Sequence, residues 1–146
     1  MKIYLGADHR GFELKEEIKQ RLLTNYEVVD LGNEVFNKDD DFTDYVKRVA
    51  EQISQTPIEK GIVFCGSGAG AEITANKIDN VRASLGINPE QTKNARADDN
   101  INILVIAADY TDFENTKSII KVFLQTEFIS SEKHLRRLEK IKDLES

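Results

Sequence analysis

The chain is poor in the residues that usually mark disulfide-bonded, metal-bound or membrane proteins: its 146 residues include one Cys, two His, two Pro and no Trp. A lone cysteine cannot close an internal disulfide and fits a reducing compartment, so a cytoplasmic protein is expected. Cys65, His9 and His134 show no ligand spacing, so no structural metal is expected. Long hydrophobic runs are also missing. The longest, "ILVIAA" at 103–108, is far below membrane-spanning length. The N-terminal "MKIYLGADHRG" meets charge too early for a targeting segment, and no membrane partner is expected. Positive charge is in deficit, with 20 Lys and Arg against 26 Asp and Glu and a net charge of -6. Nonspecific nucleic-acid binding needs the opposite surplus to displace counterions, so that partner class is excluded as well.

What remains is an ordinary globular composition, 40% hydrophobic and 32% charged, with a length that suits a single domain over residues 1–146. Short apolar runs at 2–7, 26–31, 61–65, 81–87 and 101–108 read as buried strands. Helical patterns lie between them. Leu14, Ile18 and Leu22 recur every fourth residue, and Phe42, Tyr45, Val46, Val49, Ala50 and Ile53 form one helix stripe. Further helices are expected near Gly70 to Lys77, from Pro89 through Ala97, from about Phe113 to Gln125, and in the tail from Ser131. Strands alternating with helices imply an α/β three-layer αβα sandwich, Rossmann-like, with a five-stranded parallel sheet in the order 2-1-3-4-5 and a C-terminal helix. The acidic "KDDDFTD" at 38–44 is most simply a solvated loop that supplies an N-cap.

In such sheets ligands bind beyond the carboxyl ends of the strands where the strand order reverses, here between strands 1 and 3. Asp8, His9 and Arg10 follow the first strand, and Cys65 to Gly70 follow the third. The "GSGAG" loop at 66–70 can turn backbone N–H groups inward as an anion nest, aided by the dipole of the next helix. The same field lowers a cysteine pKa. A thiolate beside amide donors suits proton abstraction next to a carbonyl. Each feature has a plainer alternative: a free Cys is often a buried small hydrophobe, a glycine turn is often tight geometry alone, and G-x-G-x-G is not the dinucleotide fingerprint. Glu72, in the first turn of the nest helix, is an alternative base, although an acid there commonly just complements the dipole. The placement of Asp-His and Cys with the nest at one crevice favours a site.

"GADHRGFELKEEI" at 6–18, "EVVDLG" at 27–32, "GIVFCGSGAGAEITANKI" at 61–78 and "KHLRRLEKI" at 133–141 resemble the sugar-phosphate isomerase family that contains type B ribose-5-phosphate isomerases and the galactose-6-phosphate isomerase subunits. The resemblance implies aldose–ketose interconversion through an enediol, without cofactor or metal, in dimers whose sites combine two subunits. It implies Cys65 as the base, Gly66, Ser67, Gly68 and Gly70 lining the nest, and Asp8 on sugar hydroxyls. His9 and Arg137 would hold phosphate, and Asn76 and Lys77 would be largely structural. The pattern departs from the family where its ring-opening histidine is expected: "RADDN" at 96–100 places Asp98 there and Asp99 at the position of an Asn. Asp109 replaces a basic residue after strand 5, and Lys133 occupies a phosphate-binding Arg position. These changes fall largely on the half usually donated by a neighbour. A ribose 5-phosphate isomerase is therefore the first expectation. A galactose-6-phosphate isomerase, alone or as one subunit paired with a sister chain, and a non-catalytic sugar-phosphate-binding paralogue are the alternatives. A flavodoxin-like nucleotide binder fits less well, because "DHRGFE" lacks a hydroxyl- and glycine-rich cradle.

Overall fold

The computed structural model describes residues 1–146. In chain order the elements are β1 (Lys2–Ala7), α1 (Phe12–Arg21), β2 (Glu27–Asp30), α2 (Phe42–Gln55), β3 (Lys60–Cys65), α3 (Ala69–Ala75), β4 (Ala83–Leu85), α4 (Pro89–Asp99), β5 (Ile103–Ala107), α5 (Phe113–Gln125) and α6 (Glu132–Lys142). All five strands are parallel in one sheet. The order is β2-β1-β3-β5-β4, which corrects the expected 2-1-3-4-5.

The exchange of the last two strands follows from length and burial. All five residues of β5 are buried, as a central strand requires, whereas β4 has only three residues and is partly exposed, as an edge strand tolerates. Handedness points the same way. Right-handed crossovers that run in opposite directions along a sheet place their helices on opposite faces. Stepping out from β3 to β4 leaves α3 beside α2, and stepping back to β5 carries α4 to the other face beside α5. An order of 2-1-3-4-5 would have stacked α2, α3 and α4 on one face.

Strand alternation divides the core accordingly. Ile3, Leu5, Ile62, Phe64, Leu104 and Ile106 pack with Ile18, Ile119, Ile120 and Phe123 on the α1/α4/α5 side. Tyr4, Val63, Cys65, Ile103 and Val105 pack with Val46, Val49, Ala50 and Ile53 on the α2/α3 side. The sulfur of Cys65 therefore points to the face where α3 begins. Three helices start on side-chain caps: Asn88 accepts from Gln91 N–H, Asp112 from Asn115 N–H and Ser131 from His134 N–H. Asp41 stands at the N-cap of α2 without such a bond, so "KDDDFTD" does not cap in the way expected. Helix α6 differs from the others: it is amphipathic, yet none of its residues is buried, and Leu135 and Ile141, together with Leu144 just beyond its end, are exposed. No helix is long and apolar enough to cross a membrane.

Candidate active site

The register of the central strands assembles the first part of the site. Ala7 pairs with Phe64 and Cys65 with Ala107, so Asp8, the next residue after β1, continues the row beside Cys65. Asp8 is 4% exposed, and one carboxylate oxygen accepts from the N–H groups of Arg10 and Gly11 at 3.0 and 3.1 Å. Those bonds fix the side chain and leave its second oxygen free to meet a ligand.

Cys65 ends β3 and the glycine loop turns directly into α3. Gly68 is the N-cap of that helix with φ of 82°, and a Cβ there would lie 2.6 Å from Leu85 Cδ1, so the position demands glycine. Gly66 lies under the Arg10 guanidinium, and Gly70 lies within α3 against the Phe42 ring, where a side chain would collide. The loop itself is thus Gly66 to Gly68, and Gly70 serves the approach of α2. The Ser67 side chain is exposed at the mouth of the turn, with only a long 3.4 Å bond from Ala69 N–H.

The cysteine does not have the depressed pKa expected from the nest. Burial pushes the Cys65 thiol up and the Asp8 carboxylate adds to the rise, while the amides of Gly68, Ala71 and Gly66 pull the other way and are outweighed. The resting group is a buried thiol held among donors.

His9 is oriented by a residue that sequence reasoning left in solvent. Its Nδ1 lies 2.8 Å from Asp40 Oδ1, its backbone N–H donates to the same oxygen at 3.0 Å, and Asn33 Nδ2 donates to the other oxygen at 2.9 Å. Partial burial pushes the Asp40 carboxyl up, and these hydrogen bonds outweigh it, leaving it below the ordinary carboxylate range. The Asn33 carbonyl in turn accepts at 2.6 Å from Lys15, a fully buried lysine that also donates to both oxygens of Asp30 at 2.9 Å. Asp8, His9 and Asp40 bring ligand-type atoms within 4.8 Å of one another, and of these residues His9 and Asp40 are joined by hydrogen bonds. Arg10 pairs with Asp109, whose N–H also donates to Gly66 O at 3.1 Å, so the acid that replaces an expected base is matched by a cation from the first strand's loop. No sequence signal joined Asp40 or Asn33 to His9, since the contact spans about thirty residues of chain.

The remaining expected residues lie elsewhere. Asp98 and Asp99 are exposed at the carboxyl end of α4, which leads into the amino end of β5, while Cys65 pairs with the last residue of β5. The length of that strand, roughly 15 Å at the usual rise per residue, separates the two places. Lys133 and Arg137 are exposed on α6. His134, on the same helix, sets its Nε2 3.5 Å from Asp98 Oδ1 and its Nδ1 2.7 Å from Ile129 O. Glu72 accepts from Leu85 N–H at 2.9 Å, and Asn76 makes two 2.8 Å bonds with the Ala83 backbone, so both tie α3 to β4. The largest cavity, about 650 Å³, is at the β4 edge between Lys77, Arg82, Asp99 and Leu144 and does not touch Cys65.

Comparison with known proteins bears on this geometry. Residues 3–141 match the model of the Ribose/Galactose Isomerase family. Ribose-5-phosphate isomerase B of Mycobacterium tuberculosis is 32% identical over 146 residues, covering 99% of this chain and 90% of that protein. The crystal structure of ribose-5-phosphate isomerase B from Mycoplasma genitalium with bound ribulose-5-phosphate superposes with a TM-score of 0.93 at 33% identity, over 97% of this chain and 94% of the other. That of a ribose 5-phosphate isomerase from Thermotoga maritima gives 0.92 at 37% identity, with 98% of each chain covered.

Proposed function

The chain belongs to the Ribose/Galactose Isomerase family, and on that premise we propose that it interconverts ribose 5-phosphate and ribulose 5-phosphate by moving a proton between C1 and C2. The observation that carries this reading is the convergence of Asp8, His9 and Cys65 with the Gly66–Gly68 turn at one crevice between β1 and β3. An aldose and its ketose share one enediol, so a single group that removes a proton from one carbon and returns it to the other completes the reaction, without any cofactor.

Cys65 is the group placed to do so. Its thiol must first lose a proton, and the amides of Gly66, Gly68 and Ala71 lower the cost of the thiolate. The same turn, with Ser67 at its mouth, offers donors to the oxygen on which negative charge develops. Asp8 directs its free oxygen to the sugar hydroxyls. His9, held by Asp40, presents Nε2 to the phosphate. Arg137 and Lys133, exposed on α6, reach this phosphate from a second copy of the chain, because α4 and α6 of the same copy lie at the other end of the sheet. Asp98 and Asp99 enter the site from that second copy as well. The exposed apolar residues of α6 supply a surface for such a dimer. The buried free thiol suits a reducing cytoplasm.

A second reading has its own support. Asp98 and Asp109 are acids where this family is expected to carry a histidine and a base, which favours a different sugar phosphate, such as galactose 6-phosphate, or a sister chain that completes the site. NMR in deuterated buffer separates the two. The purified chain alone is expected to form ribulose 5-phosphate from ribose 5-phosphate with deuterium incorporation. Turnover of galactose 6-phosphate instead, or no turnover by the isolated chain, would transfer the assignment.

A further inference from the structure

The amino edge of the sheet carries three cations that the proposed function does not use. Gly61 of β3 and Ala83 of β4 both pair with Ile103 of β5, so Lys60 and Arg82, each one residue earlier, flank Asn102 in a single row. Gly61, Ile103 and Ala83 face the α2/α3 side, and strand alternation turns Lys60 and Arg82 to the opposite face, where α4 brings Arg96. Both guanidiniums are pinned by neutral acceptors: Arg82 Nε donates to Asn100 O at 2.9 Å, and Arg96 donates to Asn100 Oδ1 at 3.0 Å and to Ile101 O. None of the three cations is in an ion pair. Glu59, next to Lys60, accepts instead from the Lys2 N–H. The hydrogen bond that Lys60 Nζ makes is a long one, 3.3 Å to Ile58 O.

A half-buried amine among such neighbours resists its own positive charge. Burial, and then repulsion from Arg96 and Arg82, push the Lys60 ammonium down to about 8, with Glu59 opposing. At pH 8 about half of it is the free amine, against less than about a hundredth of an ordinary surface lysine. A free amine is a nucleophile, and two fixed guanidiniums favour a product that is an anion. We infer that Lys60 is a modification site for carbon dioxide, held covalently and reversibly as a carbamate that faces Arg82 and Arg96. In the step, the ammonium first gives a proton to buffer and the nitrogen lone pair adds to the carbon of carbon dioxide. One C=O electron pair moves onto oxygen and the nitrogen releases a second proton, leaving N–H bonded to a carboxylate. Charge at position 60 changes from positive to negative, so repulsion within the cluster becomes attraction. Carbon dioxide suits the place because a small uncharged molecule can reach a half-buried nitrogen, whereas an acyl group would leave a neutral amide that the arginines do not hold. The inference stands apart from the isomerase reading, since Lys60 begins the strand that Cys65 ends.

Chemical trapping on the intact chain tests this. The protein is held in carbon-13 bicarbonate at pH 8 and quenched with triethyloxonium, which ethylates a carbamate so that it survives digestion and mass spectrometry. The labelled ester should be at least about tenfold more abundant at Lys60 than at the exposed Lys38 or Lys47. In Arg82→Gln the amine loses a repelling neighbour and the carbamate an attracting one, so trapping at Lys60 should fall about threefold or more while the exposed lysines are unchanged. Circular dichroism checks the fold of that variant. A second readout needs no arginine change: carbon dioxide at constant pH and ionic strength should raise the unfolding midpoint of wild type, and Lys60→Arg should abolish the rise. Equal trapping at Lys60 and Lys38 would overturn the inference, as would undiminished trapping in a folded Arg82→Gln. Preferential acetylation of Lys60 by acetic anhydride without any trapped carbamate would overturn it too, by showing a reactive amine that carbon dioxide does not occupy.

Discussion

The two ends of the sheet are built differently. At the carboxyl end, Asp8 and Cys65 are almost entirely buried, His9 is clamped by Asp40, and the turn between them is fixed by a glycine with positive φ. At the amino end, Asp98, Asp99, Lys133 and Arg137 are exposed on helical surfaces, and only His134 has a defined setting. The first set is preorganised by one chain. The second set acquires definition from whatever it faces. The proposed division of the site would let one fold keep its proton-transfer chemistry constant while the substrate-gripping half varies, and the departures at Asp98 and Lys133 would fall in the variable half.

The widest gap should appear on removing the proton carrier. Cys65→Ala is expected to lower kcat by about three orders of magnitude, as for loss of a positioned base, with the folded state retained by circular dichroism. Arg137→Ala tests the opposite half: KM for the sugar phosphate should rise about tenfold or more, the scale of one charge-assisted hydrogen bond. Mixing these two defective chains sharpens the contrast. A symmetric dimer with divided sites regains one intact site in each mixed pair, so activity should recover to about a quarter of wild type, and no recovery would place both halves in one chain.

Smaller effects test the rigidity of the first half. Gly68→Ala should cost about 1–3 kcal/mol in denaturant unfolding, because a left-handed residue and a contact with Leu85 are strained together. Asp40→Asn should weaken substrate binding a few-fold, about the worth of one hydrogen bond to a charged group. It should also lose stability only where the carboxylate is ionised. Because the Asp40 pKa is lowered in the fold, its contribution is fully present above the ordinary value of 3.8 and disappears as pH falls through the folded value, so wild type and variant should converge in strong acid. The subtlest change is Asp8→Asn, which removes a charge that holds the thiol protonated, so the pH profile of Cys65 alkylation should move to lower pH.

Much of the first half was legible in the sequence because it depends on contiguous features. The apolar runs of β1 and β3 each mark a central strand, and the residue after a strand's end is placed by the strand itself. The order of β4 and β5 was not legible, since "VRASLGI" and "INILVIAA" read alike and the difference lies in how much of each pairs. The direction of the Cys65 shift was missed for a similar reason: the nest is local in sequence, whereas burial and the Asp8 carboxylate are supplied by other strands. Asp40 was read as solvated because its partners, His9 and Asn33, meet it only in three dimensions.

The raised pKa of Cys65 also bears on durability under oxidative stress. Peroxide attacks thiolates far faster than thiols, and access further limits the rate. A cysteine that rests protonated at 6% exposure presents little of either to an oxidant. Oxidative loss of activity should therefore be concentrated in the brief intervals of turnover when the sulfur is charged, and an idle protein should outlast a working one in the same peroxide.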